Sequence, residues 1–321
     1  MSYNIKHKNL LVVGVGPIAQ EYVKILGDLG CAFTVVGRGK ENAVNFERQT
    51  GISTIAGGVD SFFSSNALKF DAAIVAVGIE SLASVTSCLL ANGIKNILLE
   101  KPGANHLNEI STLADLTKQQ NAQVLLAYNR RFYASVLHAK KIINEDGGVS
   151  SFNFEFTEWG HEIEKLPQSK EIKNNWLMAN SSHVIDMAFY MGGFPEQMSC
   201  YSKDELSWHK PINFSGAGIS QNKALFSYQA NWDAPGRWGV EIITKKHRLI
   251  FRPLEKLQIQ KKGSIEINYV EIDNTLDVKY KPGFYKQVVA FLSEDYGDFC
   301  TIVDQQNNIQ KVYNKILGIH D

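Results

Sequence analysis

The sequence has little that would place the protein in a membrane, on a nucleic acid or among disulfide-stabilised proteins. Its apolar runs fall far short of the roughly 18 residues that a membrane span needs. The 33 basic residues balance the 33 acidic ones, with no long run of either sign. The four cysteines lie far apart and form no C-x-x-C pair. We therefore expect a cytoplasmic protein with reduced thiols and no metal site, whose partners include neither nucleic acid nor membrane.

The sequence does contain a strand, turn and helix pattern near its N-terminus. Four apolar residues lead into Gly14-x-Gly16-x-x-Ala19, and an amphipathic segment follows. Glycines let a backbone pass close to a pyrophosphate, while the N–H groups at a helix N-terminus point towards it. A plain structural turn is the alternative. The pattern favours a dinucleotide site, where we expect Gly14, Gly16, Pro17 and Ile18 to bind the cofactor.

Strands and helices alternate with short connections over residues 1–128. This order predicts an α/β fold with a doubly wound parallel sheet, a Rossmann domain that binds NAD(P). Ligands of such sheets lie beyond the carboxyl ends of the strands. Val77 and Gly78 lie at the end of one predicted strand, and Glu100 and Lys101 lie at the end of the next, so we expect all four to contact the cofactor as well.

Arg38 carries the information on cofactor preference. It follows the second predicted strand, and no carboxylate occurs after it until Glu41. At this place an acidic side chain accepts from the ribose 2′-hydroxyl of NAD, whereas an arginine accommodates the 2′-phosphate of NADP. A solvated surface arginine is the alternative. Arg38 therefore favours NADP, with NAD possible.

The pattern changes after residue 128. Apolar and polar residues alternate at period two, as in 151–156, which predicts a mainly antiparallel sheet with a few helices. We therefore assign residues 129–321 to a second, α+β domain. The polar stretch 160–175 is predicted to be a loop. Arg237 follows turn residues and is interpreted as structural, with phosphate binding as the less favoured alternative.

Two residues are candidates for proton transfer. Lys101 ends a predicted strand beside the nicotinamide, where it can hydrogen-bond a substrate hydroxyl; a lysine that caps strand carbonyls is the alternative. His183 lies in a predicted helix over 176–191, and imidazole exchanges protons near neutral pH; a satisfied core histidine is the alternative. Asn180 and Asp186 lie three residues to either side of His183 and share its helix face.

Taken together, these residues resemble the glucose–fructose oxidoreductase, inositol dehydrogenase and MocA family. The resemblance extends over essentially the whole chain. The matching elements are the Gly14 turn, Glu100-Lys101-Pro102, Asn129-Arg130-Arg131-Phe132, the helix with His183 and Asp186, and Pro282-Gly283-Phe284. The resemblance implies an NAD(P)-dependent oxidoreductase whose catalytic lysine and histidine are Lys101 and His183. It also implies that residues 129–321 form a domain for substrate binding and oligomerisation, built on an open, mainly antiparallel sheet. Oligomers, a homodimer or homotetramer, would form through this second sheet.

We therefore expect an NADP-preferring enzyme of carbohydrate metabolism. It would transfer hydride at a ring carbon of a sugar or sugar nucleotide, with His183 as acid and base and Lys101 orienting the reacting oxygen. The residues expected to bind this substrate are Tyr128, Asn129, Arg131 and Asn180.

Two alternatives stay open because many family members place an aspartate four residues before this histidine, where this chain has Ala179. Biliverdin reductase resembles the family in its N-terminal domain, and its tetrapyrrole substrate does not need that aspartate. The polar residues around His183 argue against this alternative. The other is a dinucleotide-binding protein that has lost catalysis, and the presence of both Lys101 and His183 argues against it.

Overall fold

The structure is a computed structural model that describes residues 7–65 and 68–319. The remaining residues, at both ends of the chain and at 66–67, belong to the predicted domains 1–128 and 129–321 but lie outside the described residues. In this described part, no helix is both long and apolar enough to cross a membrane.

The chain forms two compact units. The first contains Met1–Asn129 and Leu276–Gln306, and the second contains Arg130–Thr275 and Asn307–Asp321. The predicted domain boundary, between residues 128 and 129, lies one residue before the first change of unit. The first unit is thus assembled from two separate stretches of sequence.

Strands and helices have the following bounds. The strands are β1 (Asn9–Val13), β2 (Ala32–Gly37), β3 (Thr54–Ala56), β4 (Ala72–Val75), β5 (Asn96–Leu99), β6 (Gln123–Leu126), β7 (Ser151–Glu155), β8 (Pro195–Lys203), β9 (Asn213–Ser220), β10 (Leu225–Asn231), β11 (Gly239–Ile243), β12 (His247–Phe251), β13 (Gln258–Lys261), β14 (Ile267–Tyr269) and β15 (Cys300–Thr301). The α-helices are α1 (Pro17–Leu29), α2 (Lys40–Thr50), α3 (Gly58–Ser65), α4 (Ile79–Ala91), α5 (Leu107–Gln119), α6 (Ala134–Glu145), α7 (Gly160–Ile163), α8 (Lys170–Asn174), α9 (Ser182–Gly192), α10 (Thr275–Lys279), α11 (Phe284–Leu292), α12 (Ile302–Asn308) and α13 (Asn314–Leu317). A 3-10 turn covers Asn129–Phe132, and π-helical segments cover Leu177–Ser181 and Ile309–Tyr313.

The first unit is built on a sheet whose described strands run in the order β15-β6-β5-β4-β1-β2-β3. Strands β1 to β6 pair in parallel with their neighbours. Strand β15 pairs antiparallel with β6, with Cys300 opposite Leu126. Leu10, Leu11 and Val12 are all fully buried, as expected of a parallel strand that helices cover on both faces. The predicted doubly wound sheet is confirmed.

Helix α1 follows β1 directly, and its sequence accounts for both of its ends. Pro17 occupies the first helical position, where a missing N–H costs no intrahelical hydrogen bond. Gly30 ends the helix in the left-handed conformation, at φ 69° and ψ 30°. Tyr22 and Leu26 of this helix are buried. The helix therefore begins at the carboxyl end of β1, the edge at which ligands of such sheets bind.

The second unit is built on a sheet with the described strand order β14-β13-β12-β11-β7-β10-β9-β8. Strands β7 and β10 pair in parallel, and the other neighbours pair antiparallel. Phe152 and Phe154 of β7 are buried and contact Phe189 of α9 edge to face. Because alternate residues face the same side of a strand, the apolar side packs against the helix, and the predicted mainly antiparallel sheet is confirmed.

Two parts of the second unit differ from the sequence prediction. Strand β9 was not predicted, because its sequence NFSGAGIS is rich in small residues with low strand propensity. A Cβ atom on Gly216 would lie 2.4 Å from the Tyr228 ring, so the small residues make room for neighbouring strands. The predicted loop 160–175 contains α7 and α8, which are too short to show a helical period.

Candidate active site

Gly14 makes the turn after β1 possible. Its φ is +128°, which L-residues with a side chain rarely adopt. A Cβ atom here would lie 2.1 Å from the carbonyl oxygen of Ala76, at the end of the neighbouring strand β4. The Gly14 N–H donates to the Val36 carbonyl at 2.9 Å, which fixes the turn against β2. A glycine at this position thus holds three strand ends close together.

The N-terminus of α1 lies directly beyond this turn. The first intrahelical hydrogen bond runs from Gln20 N–H to the Gly16 carbonyl, and Pro17 has no N–H. The first N–H groups of a helix have no intrahelical acceptors. In α1 these are the N–H groups of Ile18 and Ala19. A Cβ atom on Gly16 would meet nothing within 4 Å. This open space above a helix N-terminus fits a pyrophosphate.

Two other predicted cofactor positions lie at the same edge of the first sheet. Arg38 follows β2, is exposed, and its carbonyl accepts from Gly57 N–H at 3.2 Å. Val77 and Gly78 follow β4, and Gly78 caps the N-terminus of α4. The order of the parallel strands, rather than any contact between these side chains, brings the positions to one edge.

Glu100, which follows β5, accepts a hydrogen bond from the Tyr22 hydroxyl at 2.7 Å. Burial raises the pKa of Glu100, and the Tyr22 hydrogen bond and the charges of Lys101 and Lys281 oppose that rise. Burial, together with the nearby Glu100 charge, also raises the pKa of Tyr22. The Glu100 carboxyl group, next to Lys101 in the chain, is thus held by Tyr22 of helix α1.

Gln305, which the sequence analysis did not single out, holds the turn at Lys101 and Pro102 in place. Gln305 is fully buried, and its Nε2 donates to the Pro102 carbonyl at 3.1 Å and to the Tyr128 hydroxyl at 3.0 Å. Tyr128, expected to bind substrate, is only 1% exposed. Lys101 itself is half-buried. Its position therefore depends on a residue some 200 positions later in the chain, which no local pattern indicates.

Asn129 is also buried within the first unit. Its Nδ2 donates to the Pro282 carbonyl at 2.9 Å. Pro282 precedes Gly283, which has φ +78° and caps the N-terminus of α11. Phe284, the first residue of that helix, packs against Tyr22 with ring centroids 4.9 Å apart. Asn129 thus connects the end of the first stretch of this unit to its second stretch.

In the second unit, His183 lies on α9 just after the π-helical segment and is 8% exposed. Its ring centroid lies 6.4 Å from that of Trp238, the residue before β11. Ala179 is buried within the π-helical segment. The predicted single helix over 176–191 is therefore divided into a π-helical turn and α9.

A carboxyl group bonded to the end of this segment comes from Glu158, just beyond β7, which the sequence analysis did not single out. Glu158 is 1% exposed and accepts from Asn180 Nδ2 at 2.9 Å, Ser181 Oγ at 2.7 Å and Arg237 Nη1 at 3.1 Å. Burial raises the pKa of Glu158, and hydrogen bonds and the charge of Arg237 oppose that rise. Asn180 is thus held by a buried carboxyl group.

Strand pairing explains why Glu158 meets Arg237. Strand β11 runs antiparallel to β7, with Gly239 opposite Glu155. The residues after β7 and those before β11 consequently lie at the same edge of the sheet. Because these residues are some 80 positions apart in sequence, only the sheet register brings them together.

Arg130 and Arg131 are adjacent in sequence but have different surroundings. The Arg130 guanidinium lies 4.8 Å from the centre of the Trp238 ring, and burial lowers the pKa of Arg130. Arg131, expected to bind substrate, is buried and donates to Asp186 of α9. Asp186 and Asn180, predicted to share the face of His183, therefore have different partners.

Across the described residues, no group of three or more His, Cys, Asp or Glu side chains could hold a metal ion. Cys31, Cys88, Cys200 and Cys300 carry free thiols. Burial, followed by a hydrogen bond to Asp60, raises the pKa of Cys88 to about 11, so this thiol stays protonated near neutral pH.

Comparisons with known proteins agree with this architecture. Residues 8–128 match the model of the Gfo/Idh/MocA oxidoreductase family, NAD-binding Rossmann fold. An uncharacterized oxidoreductase of Streptococcus pneumoniae serotype 4 is 25% identical over 192 residues, which are 59% of this chain. The match covers 51% of that protein, so the chain spans about half the length of this curated relative.

Two solved structures have a similar fold over almost the whole chain. Levoglucosan dehydrogenase, in complex with NADH and L-sorbose, is 18% identical with a TM-score of 0.77, covering 97% of this chain and 96% of its own. UDP-N-acetylglucosamine 3-dehydrogenase from Acidithiobacillus ferrooxidans is 14% identical with a TM-score of 0.74, covering 98% of each chain. At these identities the likeness shows a shared fold. The N-terminal domain, over residues 8–128, is thus similar to the NAD-binding Rossmann domain of the Gfo/Idh/MocA oxidoreductase family.

Proposed function

We propose that this protein is an NAD(P)-dependent oxidoreductase that transfers hydride at a ring carbon of a sugar or sugar nucleotide. The observation that carries the proposal is the Gly14 turn, which meets Ala76 closely and leaves open space above the N-terminus of α1. The match of residues 8–128 to the model of a family of NAD-binding oxidoreductases supports the same reaction class. The similar folds of two sugar dehydrogenases support the substrate class.

In this proposal Gly14, Gly16, Pro17 and Ile18 hold the pyrophosphate of the cofactor. A side chain at position 16 would occupy the space that this group needs, and glycine leaves that space open. Val77 and Gly78 line the same edge of the sheet, as do Glu100 and Lys101. When bound, the nicotinamide supplies or accepts the hydride.

Arg38 is the basis for proposing NADP as the preferred cofactor. The side chain is exposed at the end of β2, and the first carboxylate after it is Glu41 in the first turn of α2. An exposed guanidinium can pair with a 2′-phosphate through two hydrogen bonds, whereas the 2′-hydroxyl of NAD needs an acceptor. NAD stays possible as the second cofactor.

We assign proton transfer at the reacting oxygen to His183. Its ring is buried apart from a small exposed fraction and lies beside Trp238. Imidazole can take a proton from a hydroxyl and return it to a carbonyl at nearly neutral pH. Lys101 donates a hydrogen bond that orients and polarises that oxygen in the same proposal.

The residues proposed to bind substrate divide by their surroundings. Asn180 is half-buried and fixed by Glu158, so its amide presents one defined orientation to a ligand. Tyr128, Asn129 and Arg131 are buried and bonded within the protein, so we propose that they act by positioning the residues around the site.

Glu158 also bears on the alternative of a catalytically silent protein. That alternative is motivated by Ala179, which lacks a carboxylate. The structure nevertheless has a buried carboxyl group bonded to the next two residues, Asn180 and Ser181. An ionisable group therefore lies beside the segment that leads to His183, which favours a working site.

The first test is binding of NADPH and NADH to the purified protein, followed by quenching of its tryptophan fluorescence. Binding of neither cofactor would overturn the proposal at its base. The second test compares His183→Ala with His138→Ala, a matched change on helix α6. We expect kcat to fall about 100-fold or more in the first variant only, with cofactor affinity unchanged in both. An unaltered rate in His183→Ala would remove the catalytic assignment.

A further inference from the structure

Arg237 occupies an unusual place at the edge of the second sheet. It lies between β10 and β11, and its side chain is 48% exposed. The guanidinium carbon lies 5.0 Å from the ring centre of Trp159 and 4.9 Å from that of Trp238. Two indole rings and one carboxylate therefore hold a partly exposed cation in a defined position.

The hydrogen bonds of Arg237 leave donors available on its exposed side. Among the described residues its side chain donates one hydrogen bond, from Nη1 to Glu158. A guanidinium carries five N–H donors arranged as a planar fork. Trp159, 49% exposed, is itself tied to the same loop through a hydrogen bond from Nε1 to the Gly236 carbonyl at 2.9 Å. The loop therefore presents a guanidinium that is fixed but only partly used.

The local charges also leave Arg237 able to take an anion. Glu158 is near two cations, Arg237 and the more deeply buried Arg130, and it accepts further hydrogen bonds from two uncharged side chains. Glu255 also acts on Arg130, but it is exposed, so solvent screens its charge. One buried carboxylate, that of Glu158, thus lies near two guanidinium groups.

The same indole ring connects Arg237 to the proposed catalytic residue. Trp238 lies beside Arg237, and its ring centroid also lies 6.4 Å from that of His183. Because both residues lie beside one indole ring, a ligand at His183 can extend towards Arg237. Arg237 would then meet a substituent of the sugar rather than the reacting hydroxyl itself.

We propose that Arg237 is the subsite for an anionic group of the substrate, a carboxylate or a phosphate. Glu158 and the indole rings of Trp159 and Trp238 hold the guanidinium in place for it. The inference rests on the proposed function, because the ligand it describes is the substrate of that site. It restricts the substrate class to sugars that carry a negative charge.

The test compares a hexose, the corresponding hexuronate and the corresponding hexose phosphate. Each is titrated by calorimetry into the protein, with and without NADPH, and each is assayed for turnover. We expect one of the two anions to bind about 10- to 100-fold more tightly than the hexose, the size of a charge-assisted hydrogen-bonded contact. Which anion binds distinguishes a carboxylate site from a phosphate site.

The variants assign the preference to a residue. Arg237→Gln should abolish the preference for the anion while binding NADPH normally, and Arg237→Lys, which keeps the charge but not the fork, should retain part of it. The matched control is Arg248→Gln, which removes a half-exposed arginine on β12 that pairs with Glu241 at 3.6 Å and should change nothing. Thermal unfolding of each variant confirms that it is folded.

The outcomes separate this inference from the proposed function. Equal responses to all ligands, no response to either anion, or a preference that persists in Arg237→Gln would overturn the anion subsite. Each of these can occur in a protein that binds NADPH and oxidises neutral sugars. Absence of cofactor binding would instead overturn the proposed function, and calorimetry without cofactor would still measure the preference for the anion.

Discussion

Arg131 and Asp186 form a buried ion pair with two hydrogen bonds, from Nε at 2.8 Å and from Nη2 at 2.7 Å. The Arg131 side chain is 6% exposed and that of Asp186 is 1% exposed. The Arg131 guanidinium also lies 4.6 Å from the centre of the Tyr190 ring. This pair ties the 3-10 turn after the first stretch of the chain to helix α9, which carries His183.

Removing one partner of this pair should destabilise the protein strongly. Arg131→Ala leaves the Asp186 carboxylate buried without its counter-ion, and we expect a loss of about 3–5 kcal/mol in the free energy of unfolding. Urea unfolding followed by circular dichroism measures it. The double variant Arg131→Met, Asp186→Leu should recover much of the loss, because no unpaired charge remains. If the single variant is as stable as the parent protein, the ion pair does not contribute this free energy of unfolding.

Gly14→Ala should weaken both the fold and cofactor binding. The added Cβ would approach the Ala76 carbonyl to 2.1 Å at a φ of +128°, so the turn must move. We expect a loss of more than about 2 kcal/mol in unfolding free energy and NADPH binding weakened at least about tenfold. Gly27→Ala is the matched control, since a Cβ there meets nothing within 4 Å. At this helical position, alanine should raise the free energy of unfolding of the protein by about 0.5–1 kcal/mol.

Arg38→Asp should change the cofactor preference. The variant loses a partner for a 2′-phosphate and gains an acceptor for a 2′-hydroxyl. We expect the ratio of NADH to NADPH affinity to rise by about tenfold or more, measured by fluorescence titration. Arg48→Asp, an exposed arginine near the end of α2, should leave the ratio unchanged. A ratio that does not respond to Arg38→Asp would contradict the assignment of this arginine.

His209 should make the second unit less stable in mild acid. Burial among aromatic rings lowers the pKa of His209 to about 4, although a hydrogen bond between Nδ1 and the Pro211 carbonyl at 2.8 Å opposes the change. The unfolded chain, with a histidine pKa of about 6.5, therefore binds more protons between these two values. Stability should fall as pH decreases through this window, by about 2 kcal/mol at pH 5.

The check is urea unfolding at several pH values, followed by tryptophan fluorescence. Trp208 and Trp232 report on this region directly, since their rings stack 5.8 Å apart beside His209. His209→Asn, which keeps a donor for Pro211, should flatten the pH dependence between pH 7 and 5. His161→Gln, at an exposed histidine, should leave it as in the parent. An equally steep dependence in both variants would assign the effect to other groups.

The sequence by itself determined the elements whose causes are local. Gly14, Gly16 and Pro17 predict the turn and the start of α1, because a positive φ, a close backbone approach and a missing N–H are properties of single residues. The fully apolar β1 predicted a buried parallel strand, and the period of two in β7 predicted a half-buried one. The fold class follows from such patterns alone.

The tertiary structure decided what depends on residues far apart in the chain. Gln305 supports the Lys101 turn, and Glu158 meets Arg237 because of the register between β7 and β11. Neither residue has a local pattern, since a buried glutamine or glutamate looks in sequence like a solvated one. The sequence supplied the polar and charged groups, whereas pairing and burial decided which of them stay partly exposed, like Arg237, and which, like Arg131, bond within the protein.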